Sequence, residues 1–322
     1  MASKIDVILS RPGMLPRVTL RLVSHQHHPL MSTVHLNNGA KVPAIGFGTG
    51  TALFGKDCAA SVERAIKAGF VHLDGAQAYK NEEFLGAGIR AAGKPRDELY
   101  IVTKLKEGSL PNEVKPSLVE SLQKLGVDYV DLFLIHSPSP KGTSKPNTDL
   151  LELWQAMEAV HAEGLAKSIG VSNFKLVDLQ AILPGAKIVP AVNQIEMHPY
   201  VWKAAEPVVR YGLENGNITP ASYGGLTPLV RAAGGPVDAV LPAIIDRLTK
   251  ESGKPVSAGQ VLGKWVLQKG AILLTTSSKE ERLKEYLGTT EVPDLTDAEI
   301  QTIDDAGAKL HKRVFMRHVF DE

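Results

Sequence analysis

From Val42 onward the chain alternates between two patterns. Short apolar, β-branched runs give way to longer stretches with apolar residues three and four positions apart. The runs predict strands over residues 43–49, 70–74, 99–104, 132–136, 168–172, 191–194, 218–223 and 271–275. Over 149–162, Leu150, Leu153, Trp154, Met157 and Val160 share one face, which predicts a helix between two strands. Gly69, Gly126, Gly164 and Gly270 stand where helices should stop, positions suited to a left-handed cap. The polar residue ending each run recurs at 74, 104, 136, 172, 194 and 223, a spacing near the ~30 residues of one βαβ unit. The longer interval to 275 has room for an extra helix around Leu241, Ile244, Ile245 and Leu248. Eight such units predict an α/β fold, a (β/α)8 TIM barrel, as a single domain over 31–322 behind an N-terminal extension of residues 1–30. A doubly wound open sheet is the rival, but it needs a Gly-rich turn that opens a helix. Gly46-Phe-Gly48-Thr-Gly50 reads GxGxG rather than GxGxxG, and no helix opens on its last glycine.

Composition narrows the function classes. With 322 residues, 43% hydrophobic and 22% charged, the chain can bury a sizeable core. Lys+Arg 36 against Asp+Glu 35 gives a net charge of +1, so no nucleic-acid partner is expected. The one cysteine, Cys58, excludes an internal disulfide and a cysteine zinc cluster, and points to a reducing, cytoplasmic setting. No apolar run reaches the ~18 residues that span a bilayer, so no membrane partner is expected. Residues 1–30 differ from the rest: Lys4, Arg11, Arg17 and Arg21 face a single acid, Asp6, alongside Pro12, Pro16 and the cluster His25, His27 and His28. Three readings stand: an organelle-targeting segment, an unstructured tail, or a stretch preceding a natural start at Met31.

In a barrel the C-terminal strand ends converge on one mouth. Asp74, Lys104, His136, Ser172, Asn173, Gln194 and Tyr223 fall at that mouth, and the 74–79 segment carrying Tyr79 rises from it. A tyrosine near its reference pKa of ~10 is a poor proton donor at neutral pH. A nearby ammonium, here Lys104, is expected to lower that pKa, with Asp74 holding the ammonium in place. His136 can orient a carbonyl oxygen toward the phenol. The set suits proton delivery to a carbonyl that accepts hydride, with no metal site.

These residues resemble the aldo-keto reductases. The resemblance runs from about Val34 to the C-terminus. It rests on Leu73-Asp74-Gly75-Ala76-Gln77-Ala78-Tyr79 with Asn81-Glu82, on Thr103-Lys104, and on Leu134-Ile135-His136-Ser137-Pro138. Gly170-Val171-Ser172-Asn173-Phe174 and Asn193-Gln194 complete it. The stretch Thr275-Thr276-Ser277-Ser278-Lys279-Glu280-Glu281-Arg282 is most similar to the fungal branch that includes conjugated polyketone and ketopantoyl-lactone reductases. The resemblance implies an NADPH-dependent carbonyl reductase, monomeric or dimeric, acting on a small-molecule aldehyde or ketone. It makes Tyr79 the proton donor, Lys104 and Asp74 its tuning pair, and His136 the residue that positions the substrate carbonyl. Ser172, Asn173 and Gln194 would bind the nicotinamide carboxamide and Tyr223 would stack on its ring. Thr276, Ser277 and Arg282 would meet the 2′-phosphate, and Glu285 the adenine end; an Arg fork suits phosphate oxygens.

The chain departs from the family pattern at several places. Thr276 and Tyr286 replace a lysine and an asparagine found in many members, and Lys279 can compensate. Gly50, Lys106 and Ser137 stand where several members place tryptophan. This predicts a wider, more polar pocket, with α-dicarbonyls and cyclic diketones as candidate substrates. Three other readings compete. Tyr100 and Lys104 form a YxxxK pattern, yet on a strand they lie ~13 Å apart and cannot cooperate. A Schiff-base aldolase would need a neutral Lys104, which Asp74 disfavours. A non-catalytic NADP(H)-binding regulatory subunit could share the barrel. Trp154 and Trp265 read as core, Trp202 as a weak candidate for substrate contact, and Phe315 and Phe320 as candidate pocket residues near the C-terminus.

Overall fold

The computed structural model describes residues 32–143, 145–146 and 148–320. The extension of residues 1–30, its histidine cluster and the Met31 start lie outside the described residues. A two-stranded antiparallel hairpin comes first, β1 (Thr33–His35) and β2 (Lys41–Pro43). Its turn carries Asn38-Gly39, with Gly39 at φ +83°, a left-handed geometry that glycine adopts without a Cβ clash. Sequence reading missed this hairpin, although Asn-Gly between two short β-branched runs is its signal.

Eight parallel strands then close a barrel: β3 (Ile45–Gly48), β4 (His72–Asp74), β5 (Tyr100–Leu105), β6 (Val130–Ile135), β7 (Ala166–Ser172), β8 (Val192–Glu196), β9 (Thr219–Tyr223) and β10 (Ile272–Thr275). β10 pairs back onto β3 through Leu273 and Ile45, which closes the cylinder. Each strand falls on a predicted run, with ends shifted by a residue or two. The helices α1 (Ala59–Ala68), α2 (Glu82–Ala92), α3 (Val114–Leu125), α4 (Leu150–Ala162), α5 (Leu176–Ile182) and α6 (Pro199–Gly216) cross between the first strands. α7 (Thr227–Val230), α8 (Leu241–Ser252) and α9 (Ala258–Gln268) fill the long interval before β10, with α8 at the expected extra helix. α10 (Glu280–Leu287) and α11 (Asp297–Gly307) follow. Asp149 caps α4 by accepting from the Leu151 and Glu152 amides at 2.7 and 3.2 Å. Gly69 and Gly126 take left-handed caps after α1 and α3.

Burial on both faces explains why the strands read as unbroken apolar runs. Their outer faces pack with Phe70, Trp154 and Trp265 beneath the helices. Their inner faces form a second core of Val102, Leu132, Leu134, Val192 and Ile272, joined by Val34, Leu36 and Val42 of the hairpin segment. Asn37 donates to the carbonyls of Pro190 and Gly216, and Asn38 to Ser168 Oγ. The hairpin thus plugs the end where the strands begin, and the site lies at the other.

Candidate active site

Several of the strands bring a polar residue to the open end. β4 ends on Asp74, β7 on Ser172 and β9 on Tyr223, while His136 follows β6 directly. A cavity of about 710 Å³ occupies this end. Asp74, Tyr79, His136, Ser172, Asn173, Gln194, Tyr223, Thr276 and Arg282 all line it. Lys104 does not: it is fully buried (0% exposed) on β5, behind the wall. Its Nζ donates to Asp74 Oδ1 at 2.6 Å, to the Gly75 carbonyl at 2.8 Å and to Tyr79 Oη at 3.3 Å. Asp74 Oδ2 accepts from Gln194 Nε2 at 2.8 Å, so both carboxylate oxygens are engaged. Tyr79 closes a single 3-10 turn, Gln77–Tyr79, and its ring meets that of His136 edge-on with centroids 5.5 Å apart.

The electrostatics correct one expectation. Burial pushes the Tyr79 phenol well above its usual 10, and the charges of Asp74 and Glu107 push the same way. Sequence reasoning had Lys104 lowering it. The ammonium lies 2.6 Å from the Asp74 carboxylate. The phenol therefore faces a nearly neutral pair, and its desolvation dominates. Burial lowers the pKa of Lys104 too, against the pull of Asp74. His136 drops to about 3, from burial first and the Lys104 charge second, so its ring is neutral near pH 7. Its Nδ1 is buried with no partner among the described residues. The geometry therefore supplies a protonated phenol, a neutral imidazole, and a cation beside the oxygen that would carry negative charge after proton loss.

The wall beside this cluster is tied together. Asn173, in a left-handed conformation at φ 59°, donates to the His136 carbonyl at 2.9 Å and accepts from Tyr223 Oη at 2.5 Å. Ser172 Oγ donates to the Gln194 carbonyl. Of the residues expected at the adenosine end, Thr276 and Arg282 reach the cavity and Ser277 and Glu285 do not. Ser277 Oγ accepts from the Lys279 amide in a local turn at 3.1 Å, and Glu285 accepts from Ser257 Oγ. Tyr286 lines the cavity. Sequence reasoning missed Thr275, whose Oγ1 is buried with no partner among the described residues, and the apolar wall of Phe54, Leu226 and Val230. Phe54 and Val230 stand 51% and 62% exposed at the cavity rim.

A model of the aldo/keto reductase family matches residues 44–308. The chain belongs to this family. It is 42% identical over 288 residues to the NAD/NADP-dependent indole-3-acetaldehyde reductase of Schizosaccharomyces pombe, covering 87% of this chain and 97% of that protein. It is 35% identical over 288 residues to the D/L-glyceraldehyde reductase of Hypocrea jecorina, covering 81% and 84%. The crystal structure of a Bombyx mori aldo-keto reductase in complex with NADP is similar with a TM-score of 0.78 and 32% identity, over 90% of this chain and 96% of that one. Two of these relatives are fungal, in keeping with the resemblance of the 275–282 segment.

In this aldo/keto reductase the remaining candidates separate cleanly. Tyr100 lies at the start of β5 against His72, with ring centroids 5.1 Å apart, remote from the cavity. Trp202 packs edge-on against Trp265 at 5.5 Å and does not reach the cavity. Phe315 lines the cavity, whereas Phe320 lies under the Arg313 guanidinium at 3.8 Å. Of the three positions expected to widen the pocket, only Gly50 lines it. Ser137 closes a turn with Ser139, and the Lys106 amide bonds Gln77. Lys106 and Ser137, the two polar replacements, thus do not line the cavity. Among the described residues no cluster of three or more His, Cys, Asp or Glu side chains could hold a metal ion. No described helix is long and apolar enough to cross a membrane.

Proposed function

We propose that the protein is an NADPH-dependent reductase of aldehydes and ketones in which Tyr79 delivers the proton. The contact of Lys104 with both Asp74 and Tyr79 at the edge of the cavity carries this reading. The cavity fits the cofactor: it joins the Tyr79 and His136 end to Arg282, and Thr275 offers a buried hydroxyl with no partner among the described residues. When bound, NADPH supplies a hydride. Tyr223 would face its nicotinamide ring, Ser172, Asn173 and Gln194 its carboxamide, and Arg282 with Thr276 its 2′-phosphate.

The chain's own residues then handle the carbonyl oxygen. His136, neutral, offers a ring N–H to that oxygen and turns it toward Tyr79. As negative charge grows on the oxygen, Tyr79 gives up its proton. The phenolate left behind is stabilised by the Lys104 ammonium 3.3 Å away. A phenol with a high pKa stays protonated until this moment, and an alkoxide is basic enough to take its proton. The substrate's apolar body would lie against Phe54 and Val230. We place the enzyme in the cytoplasm, as a monomer or dimer, in keeping with the lone Cys58.

Lys104 is fully enclosed with three acceptors, which speaks against a Schiff-base nucleophile. The intact Asp74, Tyr79, Lys104 and His136 cluster speaks against a non-catalytic subunit. The test is cofactor oxidation followed at 340 nm, comparing NADPH with NADH across 4-nitrobenzaldehyde, glyceraldehyde and the cyclic dicarbonyl isatin. Carbonyl-dependent oxidation faster with NADPH is expected; no oxidation with any of the three would overturn the reading.

A further inference from the structure

β8 ends on a carboxylate with no access to water: Glu196 is 0% exposed. A charge in such a place is costly unless every lone pair finds a donor. Two of its donors come from far along the chain. The Val314 amide donates to Oε1 at 2.9 Å and to Oε2 at 3.1 Å, and the Phe315 amide donates to Oε2 at 2.9 Å. His198 Nε2 completes the set on Oε1 at 2.9 Å. Arg313 is buried nearby, and its charge acts on both His198 and Tyr223. An apolar residue would fill the same space; a carboxylate additionally dictates where a distant backbone must run.

The backbone it holds is irregular. After α11 the chain has no helix or strand through residue 320, so the path of this strap depends on individual bonds. The pinned Phe315 lines the cavity. Its ring meets that of Tyr223 edge-on at 5.7 Å, and the Arg231 guanidinium stands 5.1 Å from its centroid. Gly224 makes room for it: a Cβ there would lie 3.3 Å from Phe315 Cε2. Charge-assisted bonds to two successive amides fix this ring where a loosely held strap would let it swing out.

We infer that Glu196 is a positioning residue for substrate selection: by gripping the Val314 and Phe315 amides it sets Phe315 as the aromatic wall of the substrate pocket. This rests on the carbonyl reductase reading above. The wall favours flat aromatic carbonyls over small polar ones, and Glu196 acts on that preference without touching substrate.

The experiment compares wild type, Glu196→Gln, Phe315→Ala and the double variant, with NADPH and either 4-nitrobenzaldehyde or glyceraldehyde. Gln keeps the size and one acceptor but presents an NH2 group to the strap amides. Glu196→Gln and Phe315→Ala should each raise KM for 4-nitrobenzaldehyde roughly threefold to tenfold, the worth of one aromatic contact. KM for glyceraldehyde should rise clearly less than KM for 4-nitrobenzaldehyde in each variant. The double variant should be no worse than Phe315→Ala alone, because both remove one wall. A residue that only stabilises the fold would lower the melting temperature and the active fraction while leaving both KM values unchanged; that result overturns the proposal, as do additive effects in the double variant. Where Glu196→Gln does not fold, Val314→Pro removes both bonds of the Val314 amide and leaves that of Phe315, and must reproduce part of the selective KM rise. If wild type oxidises NADPH with neither aldehyde, the reductase reading itself fails, which is a separate outcome from these.

Discussion

Gly50 lies flat against the ring of Tyr79: a Cβ built on it would stand 3.0 Å from Cζ and 3.2 Å from Cε2 of that ring. The backbone at Gly50 has φ −71°, which any residue can adopt. In this packing a side chain there would press on the phenol before meeting any other group. Gly50→Val should press on Tyr79 and move its hydroxyl from the Lys104 ammonium. Small misplacements of a reacting group are costly, so kcat/KM for 4-nitrobenzaldehyde should fall about tenfold or more, with the melting temperature nearly unchanged. Wild-type kinetics in Gly50→Val would show that Tyr79 has slack.

The titration of the site sets the pH profile. Carbonyl reduction needs Tyr79 protonated and His136 neutral. Tyr79 lies well above 10 and His136 near about 3. The reduction kcat should therefore be flat from pH 6 to 9, roughly the span between these two groups. Alcohol oxidation, which needs the phenolate, should rise with pH over the same span. Stopped-flow rates of the chemical step test this. A falling reduction limb near pH 8 would instead mean that Lys104 acidifies the phenol.

Acid should unfold the protein through its buried histidines. His136 titrates near about 3 when folded, against ~6.5 in an unfolded chain. As pH falls below ~6.5 the unfolded chain takes up the proton first, so stability is intact above that value and is lost down to about 3. The loss from His136 should reach about 2 kcal/mol by pH 5. His72 and His198 are lowered in the same direction by burial. Urea unfolding at pH 7.5 and 5.0 checks this: His136→Asn should lose about 2 kcal/mol less than wild type between the two. Equal losses would mean that the ring is solvated.

Arg282 is the cation placed to read the cofactor's phosphate, at the cavity wall beside Tyr286. Arg282→Ala should raise KM for NADPH about tenfold to a hundredfold, the worth of a charge-assisted bond. KM for NADH, which lacks the 2′-phosphate, should stay within about twofold. An equal rise for both would place Arg282 elsewhere on the cofactor.

The barrel was legible because its strands are buried on both faces, so each appears as an apolar run ending on a polar residue at the mouth. That register brought Asp74, His136, Ser172, Gln194 and Tyr223 together without any contact being known. The hairpin 33–43 escaped because its strands are three residues each, too short to show alternation. Ser277 and Glu285 lie on the right segment but bond local partners, and periodicity cannot tell which way a loop side chain turns. The sign of the Tyr79 shift was not legible either. It depends on how nearly Asp74 cancels Lys104 and on how much water is excluded, and both are distances and not sequence.

The central claim is that Tyr79 gives the proton. The most direct measurement is single-turnover oxidation of NADPH by 4-nitrobenzaldehyde in Tyr79→Phe, with NADPH affinity measured in parallel by fluorescence quenching. The variant keeps the ring against His136 and Gly50 and lacks only the hydroxyl. The rate should fall about 10²- to 10⁴-fold, as expected for loss of a general acid, with NADPH affinity unchanged. A rate within about threefold of wild type would contradict the assignment.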